Sequence, residues 1–466
     1  MSYTTTHAPE QTPEIILNHT MKGGGKTWSF QIGGAGCNKK VTRIPEKMYN
    51  VDINIDIYGF GQDSLGILKQ SNQLILTLAD GHGPTVEGKE MSYKVHEYMI
   101  KYIGDYRDYF VKLLRRGDHK YIEKIVYDIS KQVDEALLTY DIRTSEFKEG
   151  GTTFTMIHKI LDEENGALYT LSYNVGDSPY FKIKIGEETT INEVSQEQNC
   201  DNIKCVENYY NLCMKDGDTP SEVILGRFNT PNGFKTQWMG EETIKPYNIH
   251  YIDGKYKCSV NESIMIKFYE EAPTNIKEFV LYNGGPQSIR GRIHNLTELD
   301  AGRYPTTNFG STLSGGLQTP FSFGDKKSKH IHHIKCVPHI TITTEQELHE
   351  QSFDFVSSDG AIDCLTDKDI KKLFEGYGKV SQQAFMEKVE KTINANARNG
   401  GFGFSNLTNI PTWDDLSYWI VETKVSDDLE FKLTKLEEEH KQMLELATKI
   451  KRKLSMVNTL ISALSD

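Results

Sequence analysis

Residues 151–177, GTTFTMIHKILDEENGALYTLSYNVGD, decide how this chain builds its sheets. Two apolar runs, GTTFTMIHKI and ALYTLSYNVGD, are separated by LDEENG, a link rich in turn-forming residues. That arrangement predicts an antiparallel hairpin. On its N-terminal side lie helical patterns. HKYIEKIVYDISKQVDEALL carries Ile122, Ile125, Val126, Ile129, Val133 and Leu137 on one face, and EMSYKVHEYMIKYI reads the same way. Before them, VDINIDIYGFGQD and QLILTLAD alternate as strands. Strands and helices therefore come in runs, which favours antiparallel sheets with segregated helical layers, an α+β chain, over a doubly wound parallel sheet.

The hairpin ends on an acid, Asp177, and two other apolar strands end the same way. QLILTLAD runs into Asp80-Gly81-His82-Gly83, and FDFVSSDG into Asp359-Gly360. Asp63 in GFGQD and Asp414 in TWDDLS stand at the edges of further strands. Each acid alone reads as a turn former. Acids gathered at the ends of buried strands would repel one another unless a hard cation lay between them. An all-oxygen set of this kind suits Mg²⁺ or Mn²⁺, whereas zinc asks for Cys or His.

Read in order, GQD, ADGHG, EGGTT, NVGDS, FSFGD, SSDG and WDDLS resemble the successive motifs of the metal-dependent type 2C Ser/Thr protein phosphatases. The resemblance covers most of residues 50–423. It implies a four-layer α/β/β/α sandwich of two antiparallel sheets flanked by helices, with a binuclear Mg²⁺ or Mn²⁺ centre at one edge. It implies hydrolysis of phosphoserine and phosphothreonine in proteins by a metal-activated water. By position, Asp80 would bridge the two metals, the Gly81 carbonyl would join the second, and Asp359 and Asp414 would hold the first. Asp63 would orient water, Asp177 with Asp359 would hold a weaker third metal, and His82 would protonate the leaving oxygen as general acid.

The match has departures. Gln62 stands where the family usually has Glu, and offers the second metal an oxygen without a charge. Tyr58 stands where a phosphate-gripping Arg is expected, which removes a bidentate contact. Pro179 and Phe321 replace basic residues that often flank these motifs. Arg290 or Arg292 in SIRGRIH could replace the lost Arg. These changes sustain a second reading, a catalytically weak or inactive phosphatase-like scaffold that binds partner proteins.

Around this centre the chain divides into an N-terminal extension over 1–50, the phosphatase-like domain over 51–423 with an enlarged flap insertion at about 205–303, and a C-terminal helix over 425–464. Within the extension, MKGGGKTWSF has no Gly where a phosphate loop needs one and reads as a surface loop. KHIHHIKC reads as a strand whose His332 and His333 point to opposite faces, with surface histidines as the default. In the tail, Leu429, Leu433, Leu436, Met443, Ala447, Ile450, Leu454, Val457, Ile461 and Leu464 recur at steps of four and three, interrupted by His440. This heptad seam predicts a coiled-coil helix that buries its stripe on a homodimer mate, a partner helix or the chain's own body.

Composition narrows the partners. A formal net charge of −12, from 53 Lys and Arg against 65 Asp and Glu, argues against nucleic acid and against an anionic membrane. The seven cysteines are scattered and odd in number, which favours a reducing, intracellular compartment, cytoplasmic or nuclear. The start of the chain does not read as a signal peptide, and no apolar stretch is long enough to span a bilayer.

Overall fold

In the computed structural model the 151–177 stretch folds as the hairpin its turn predicts, Leu168 opposite Leu161 and Val175 opposite Phe154. The structure describes residues 15–37, 46–48, 55–139, 150–195, 198–199, 203–218, 223–225, 249–252, 255–258, 312–313, 319–345, 351–362, 365, 367–377, 380–398 and 415–465.

The first half of the chain gives β1 (Ile15–Gly23), β2 (Lys26–Cys37), β3 (Glu46–Met48), β4 (Ile55–Phe60), β5 (Asp63–Gln70), β6 (Gln73–Ala79) and the short β7 (Gly81–His82). Helices α1 (Thr85–Asp105), α2 (Arg107–Arg116) and α3 (His119–Thr139) follow. Then come β8 (Gly151–Thr152), β9 (Phe154–Leu161), β10 (Leu168–Val175), β11 (Tyr180–Ile185), β12 (Thr189–Glu193) and α4 (Ile203–Asp216). Beyond them lie β13 (Val223–Leu225), β14 (Ile249–Ile252), β15 (Lys255–Cys258), β16 (Thr312–Leu313), β17 (Phe323–Gly324) and α5 (Lys326–His332). The chain continues through β18 (His339–Glu345), β19 (Gln351–Ser357), α6 (Asp359–Ile362), α7 (Asp367–Glu375), α8 (Gln382–Arg398), β20 (Leu416–Asp427) and α9 (Leu429–Ser465).

Two antiparallel sheets dominate. One runs β1-β2-β20-β19-β11-β12 and the other β18-β10-β9-β6-β5-β4-β3. Their facing sides enclose a core that includes Trp28, Trp419, Leu76 and Ile157. The outer face of the seven-stranded sheet packs against α1, α2 and α3. That of the six-stranded sheet packs against α6, α7 and α8. The expected α/β/β/α sandwich is therefore present. Burial on both faces explains the continuous apolar run of β6: Leu74, Leu76 and Leu78 face the other sheet, while Ile75 and Ala79 face the helices.

The same alternation drives charge into the core. Lys159 on β9 and Asp354 on β19 point between the sheets, both fully buried, with their ion pair at 2.7 Å. Lys182 and the Tyr180 hydroxyl donate to the other carboxylate oxygen at 3.1 and 2.6 Å. Burial alone would push the Asp354 pKa up, but the two lysines outweigh it and hold the carboxyl well below its usual range.

Two expectations change. MKGGGKTWSF is not a surface loop: Gly23 pairs with Lys26, and Gly24 and Gly25 make a two-residue turn with φ of 57° and 78°. Only glycine takes both angles without strain, so the Gly run is hairpin chemistry, and residues 15–37 belong to the six-stranded sheet. KHIHHIKC is not a strand, since Lys326–His332 is helical and ends at His333 with a left-handed φ of 52°. Part of the 205–303 stretch falls among the described residues. Its first helix, α4, buries Tyr209 and Cys213 against the helical layer, and β15-β14-β13-β16 form a small sheet.

Helix α9 matches the expected tail and extends for 37 residues. Among the described residues no helix is long and apolar enough to cross a membrane.

The buried ion pair gives a direct test of how the sheets are held. Asp354→Ala strips the fully buried Lys159 of the counter-charge that offsets its desolvation, and should cost about 3–5 kcal/mol in urea unfolding. The double variant Lys159→Met, Asp354→Leu should recover most of that loss.

Candidate active site

The strand registers bring the acids of the sequence motifs to one edge of the sandwich. Ser64 lies opposite Ala79, so Asp63 at the entrance of β5 and Asp80 at the exit of β6 occupy adjoining strand ends. On the far side of β6, the Thr153 N–H and the Thr152 hydroxyl donate to the Asp80 carbonyl at 2.9 and 3.0 Å. Val175 is opposite Phe154, so β10 delivers Gly176 and Asp177 beside Thr153. The Ser178 and Thr153 hydroxyls there lie 2.8 Å apart.

The six-stranded sheet contributes from the other side. The Ser358 N–H donates to the Ser417 carbonyl at 2.9 Å, and the Ser417 N–H returns a bond to Ser358 Oγ at 2.9 Å. This fixes Asp359, the next residue, at the end of β19. Two bonds then join the sheets at this edge. Ser417 Oγ donates to Asp63 Oδ2 at 3.0 Å, and the Gln62 N–H donates to Asp415 Oδ2 at 2.7 Å.

His82 supplies the best-defined chemistry. Its Nε2 lies 2.6 Å from Oδ2 of Asp325, which sits after β17. Asp325 is buried, takes a second hydrogen bond from Ser322 Oγ at 2.5 Å, and holds a left-handed φ of 52°. Its carboxylate lies so close to Gly151 that a Cβ there would fall 2.0 Å from it. Glycine in the EGGTT motif is thus a steric requirement. Burial disfavours charge on the His82 ring, yet the Asp325 charge and hydrogen bond outweigh it, with Asp177 adding, so the imidazole pKa is raised. Burial likewise opposes the Asp325 charge, but His82 together with Lys329 and Ser322 keeps its pKa below the usual carboxylate value.

The remaining expected residues fall in different places. Gly81 is wedged where an added Cβ would lie 2.4 Å from the Gly88 carbonyl oxygen. Gln62 is buried and its side-chain amide donates to the Gly83 carbonyl at 3.2 Å, just beyond β7. Tyr58 packs its ring against the core between the sheets, and burial followed by the nearby Asp56 charge raises its phenol pKa. Asp414, Arg290 and Arg292 lie outside the described residues.

Asp325 and Asp415 were not singled out by sequence reasoning. Their signals were available, because Asp325 ends the FSFGD motif and Asp415 is the second acid of WDD. Neither spacing nor periodicity shows that Asp325 meets His82, since 243 positions separate them.

Among the described residues, no group of three or more His, Cys, Asp or Glu is gathered closely enough to hold a metal ion. The strand ends at this edge carry oxygen donors of the type hard cations take, the carboxylates of Asp63, Asp80, Asp177 and Asp359 and the carbonyl of Gly81, without gathering them into a site. Donor type alone suits Mg²⁺ or Mn²⁺. The described side chains are not closed around one.

No family model and no curated protein matches the sequence. The architecture is similar to solved structures of type 2C phosphatases. Serine-threonine phosphatase 2C from Toxoplasma gondii is 11% identical, with a TM-score of 0.45 over 89% of this chain and 100% of that one. A sex determining protein of C. elegans is 12% identical, with a TM-score of 0.42 over 84% of this chain and 64% of that one. The PPM Ser-Thr phosphatase of Mycobacterium smegmatis is 13% identical, with a TM-score of 0.33 over 84% and 97%. Likeness at this level assigns no activity.

The His82–Asp325 pair has a defined pH signature. Because the folded His82 pKa is raised, its contribution to stability is fully present below the unfolded imidazole value of about 6.5 and is lost as pH rises through the folded one. In Asp325→Asn the His82 ring, followed by NMR, should lose its proton at lower pH than in wild type.

Proposed function

We propose that this edge hydrolyses phosphoserine and phosphothreonine in proteins, with divalent cations as cofactors. The observation that carries the reading is the His82–Asp325 pair. A buried carboxylate hydrogen-bonds an imidazole and, against the effect of burial, raises its pKa at the exit of the strand that also delivers Asp80. A charged imidazole in such a position is a proton donor, and phosphoester cleavage at an alkyl hydroxyl needs one, because the alkoxide is a poor leaving group.

Asp80, the Gly81 carbonyl, Asp359 and Asp414 would hold two cations, either Mg²⁺ or Mn²⁺, and Asp177 with Asp359 a weaker third. When bound, such cations supply a water that loses its proton near neutral pH and positive charge for the phosphoryl oxygens. Gln62, whose amide nitrogen is held by the Gly83 carbonyl, would give its neutral amide oxygen, a weaker ligand than a carboxylate. Asp63, held by the Ser417 hydroxyl, would accept a hydrogen bond from the attacking water and orient it. His82, anchored through Nε2, would pass a proton from Nδ1 to the leaving Ser or Thr oxygen. Asp325 fixes the ring and raises its pKa. Tyr58 cannot grip phosphate as a guanidinium does, so Arg290 or Arg292 would take that part.

Phosphate release from a phosphothreonine peptide, with and without Mn²⁺, tests the reading. Wild type should turn over only with metal, and Asp359→Asn should lose at least 100-fold, on the order expected when a ligand to a catalytic metal is removed. Wild-type release no greater than that of Asp359→Asn at saturating Mn²⁺ would refute it and leave a partner-binding scaffold as the account.

A further inference from the structure

Helix α9 leaves its apolar seam uncovered. Leu436, Met443, Ile450, Leu454 and Val457 are 50–64% exposed, although they recur on one face of a helix about 56 Å long. Solvent exposure of such a stripe marks it as an interface. Its charge pattern says what covers it.

In heptad terms Leu433, His440, Ala447 and Leu454 take a positions, and Leu436, Met443, Ile450 and Val457 take d positions. The flanks are strongly asymmetric. Between Leu436 and Leu446 lie Glu437, Glu438, Glu439 and Glu445 with Lys441 as the one lysine, after Glu430, Lys432 and Lys435 nearer the start of the helix. Lys449, Lys451, Arg452 and Lys453 follow, with no acid between Leu446 and Asn458. A parallel pair would set each basic block beside its copy within a Debye length of about 8 Å.

We infer that α9 forms an antiparallel coiled coil with the α9 of a second copy of this chain, about a two-fold axis at the level of Glu445. In that register each a residue meets a d residue of the mate. Leu433 layers on Val457, Leu436 on Leu454, His440 on Ile450 and Met443 on Ala447. The flanking positions agree without adjustment. In an antiparallel pair each residue after d faces its counterpart on the mate, which sets Glu437 against Lys451. Each residue before a does likewise, which sets Glu439 against Lys453. The two-fold repeats both pairs, giving four attractive contacts and no repulsive one at these positions. At the axis the same flanks carry Leu444 and Leu446, 55% and 58% exposed in the single chain, and each would meet itself. The seam is therefore widest and most apolar where the two-fold passes, which a self-complementary interface requires.

Charge reversal in the full chain tests both partner and orientation, with molar mass read by light scattering at tens of micromolar protein. Wild type should have twice the chain mass. Glu437→Lys with Glu439→Lys, and separately Lys451→Glu with Lys453→Glu, should each halve it. An equimolar mixture of those two variants should return to twice the chain mass. Monomeric wild type would overturn the proposal in favour of a foreign helix or the chain's own body. A Lys451→Glu, Lys453→Glu variant that still dimerises would overturn the antiparallel register. Circular dichroism confirms that each variant keeps its helix, so loss of mass reports association alone.

Discussion

The register between the two sheets is the constraint on which the rest depends. Strand β20 is fixed against the opposite sheet by the Trp419 indole, which donates to the Thr77 carbonyl at 2.8 Å, and by the Ser417 hydroxyl on Asp63. The Gln62–Asp415 bond adds a third tie near the same end. A slip of one residue along β20 would turn Trp419 out of the core and break all three. Gly34 shows how tightly this is packed, since a Cβ there would lie 2.3 Å from the Trp419 ring. With that register set, strands distant in sequence must end together.

Deeper in the sandwich, the Lys159–Asp354–Lys182 network serves the same end by a different means. Charges buried between sheets add little net stability when paired, and are costly when misaligned. Their contribution is to reject alternative stackings that hydrophobic side chains alone would tolerate. Apolar packing supplies the driving force, and polar contacts choose one arrangement from those it permits.

Much of this was legible in the sequence. The 151–177 hairpin, the α1 and α3 faces, the strand exits at Asp80, Asp177 and Asp359 and the length of α9 all follow from periodicity and turn chemistry. What could not be read depends on three-dimensional neighbours. Nothing in the pattern of β9 marks Lys159 as half of an ion pair, because Asp354 comes from the opposite sheet. The Gly24-Gly25 turn resembled loop composition because a type I′ hairpin and a flexible linker use the same residue. His333 ended a helix where alternation had suggested a strand, since its left-handed backbone carries no strong sequence mark. Asp325 and His82 each stood in a motif, but their pairing was not legible.

The central claim is that Asp325 makes His82 a proton donor to the leaving group. The sharpest measurement compares His82→Ala with wild type on two substrates at saturating Mn²⁺, a phosphothreonine peptide and p-nitrophenyl phosphate. An alkoxide needs a proton to leave, and nitrophenolate does not. The account predicts a loss of about 10²–10⁴-fold on the peptide, the range general acids supply, with near wild-type rates on the nitrophenyl ester. Equal losses on both substrates, or none on either, would contradict it.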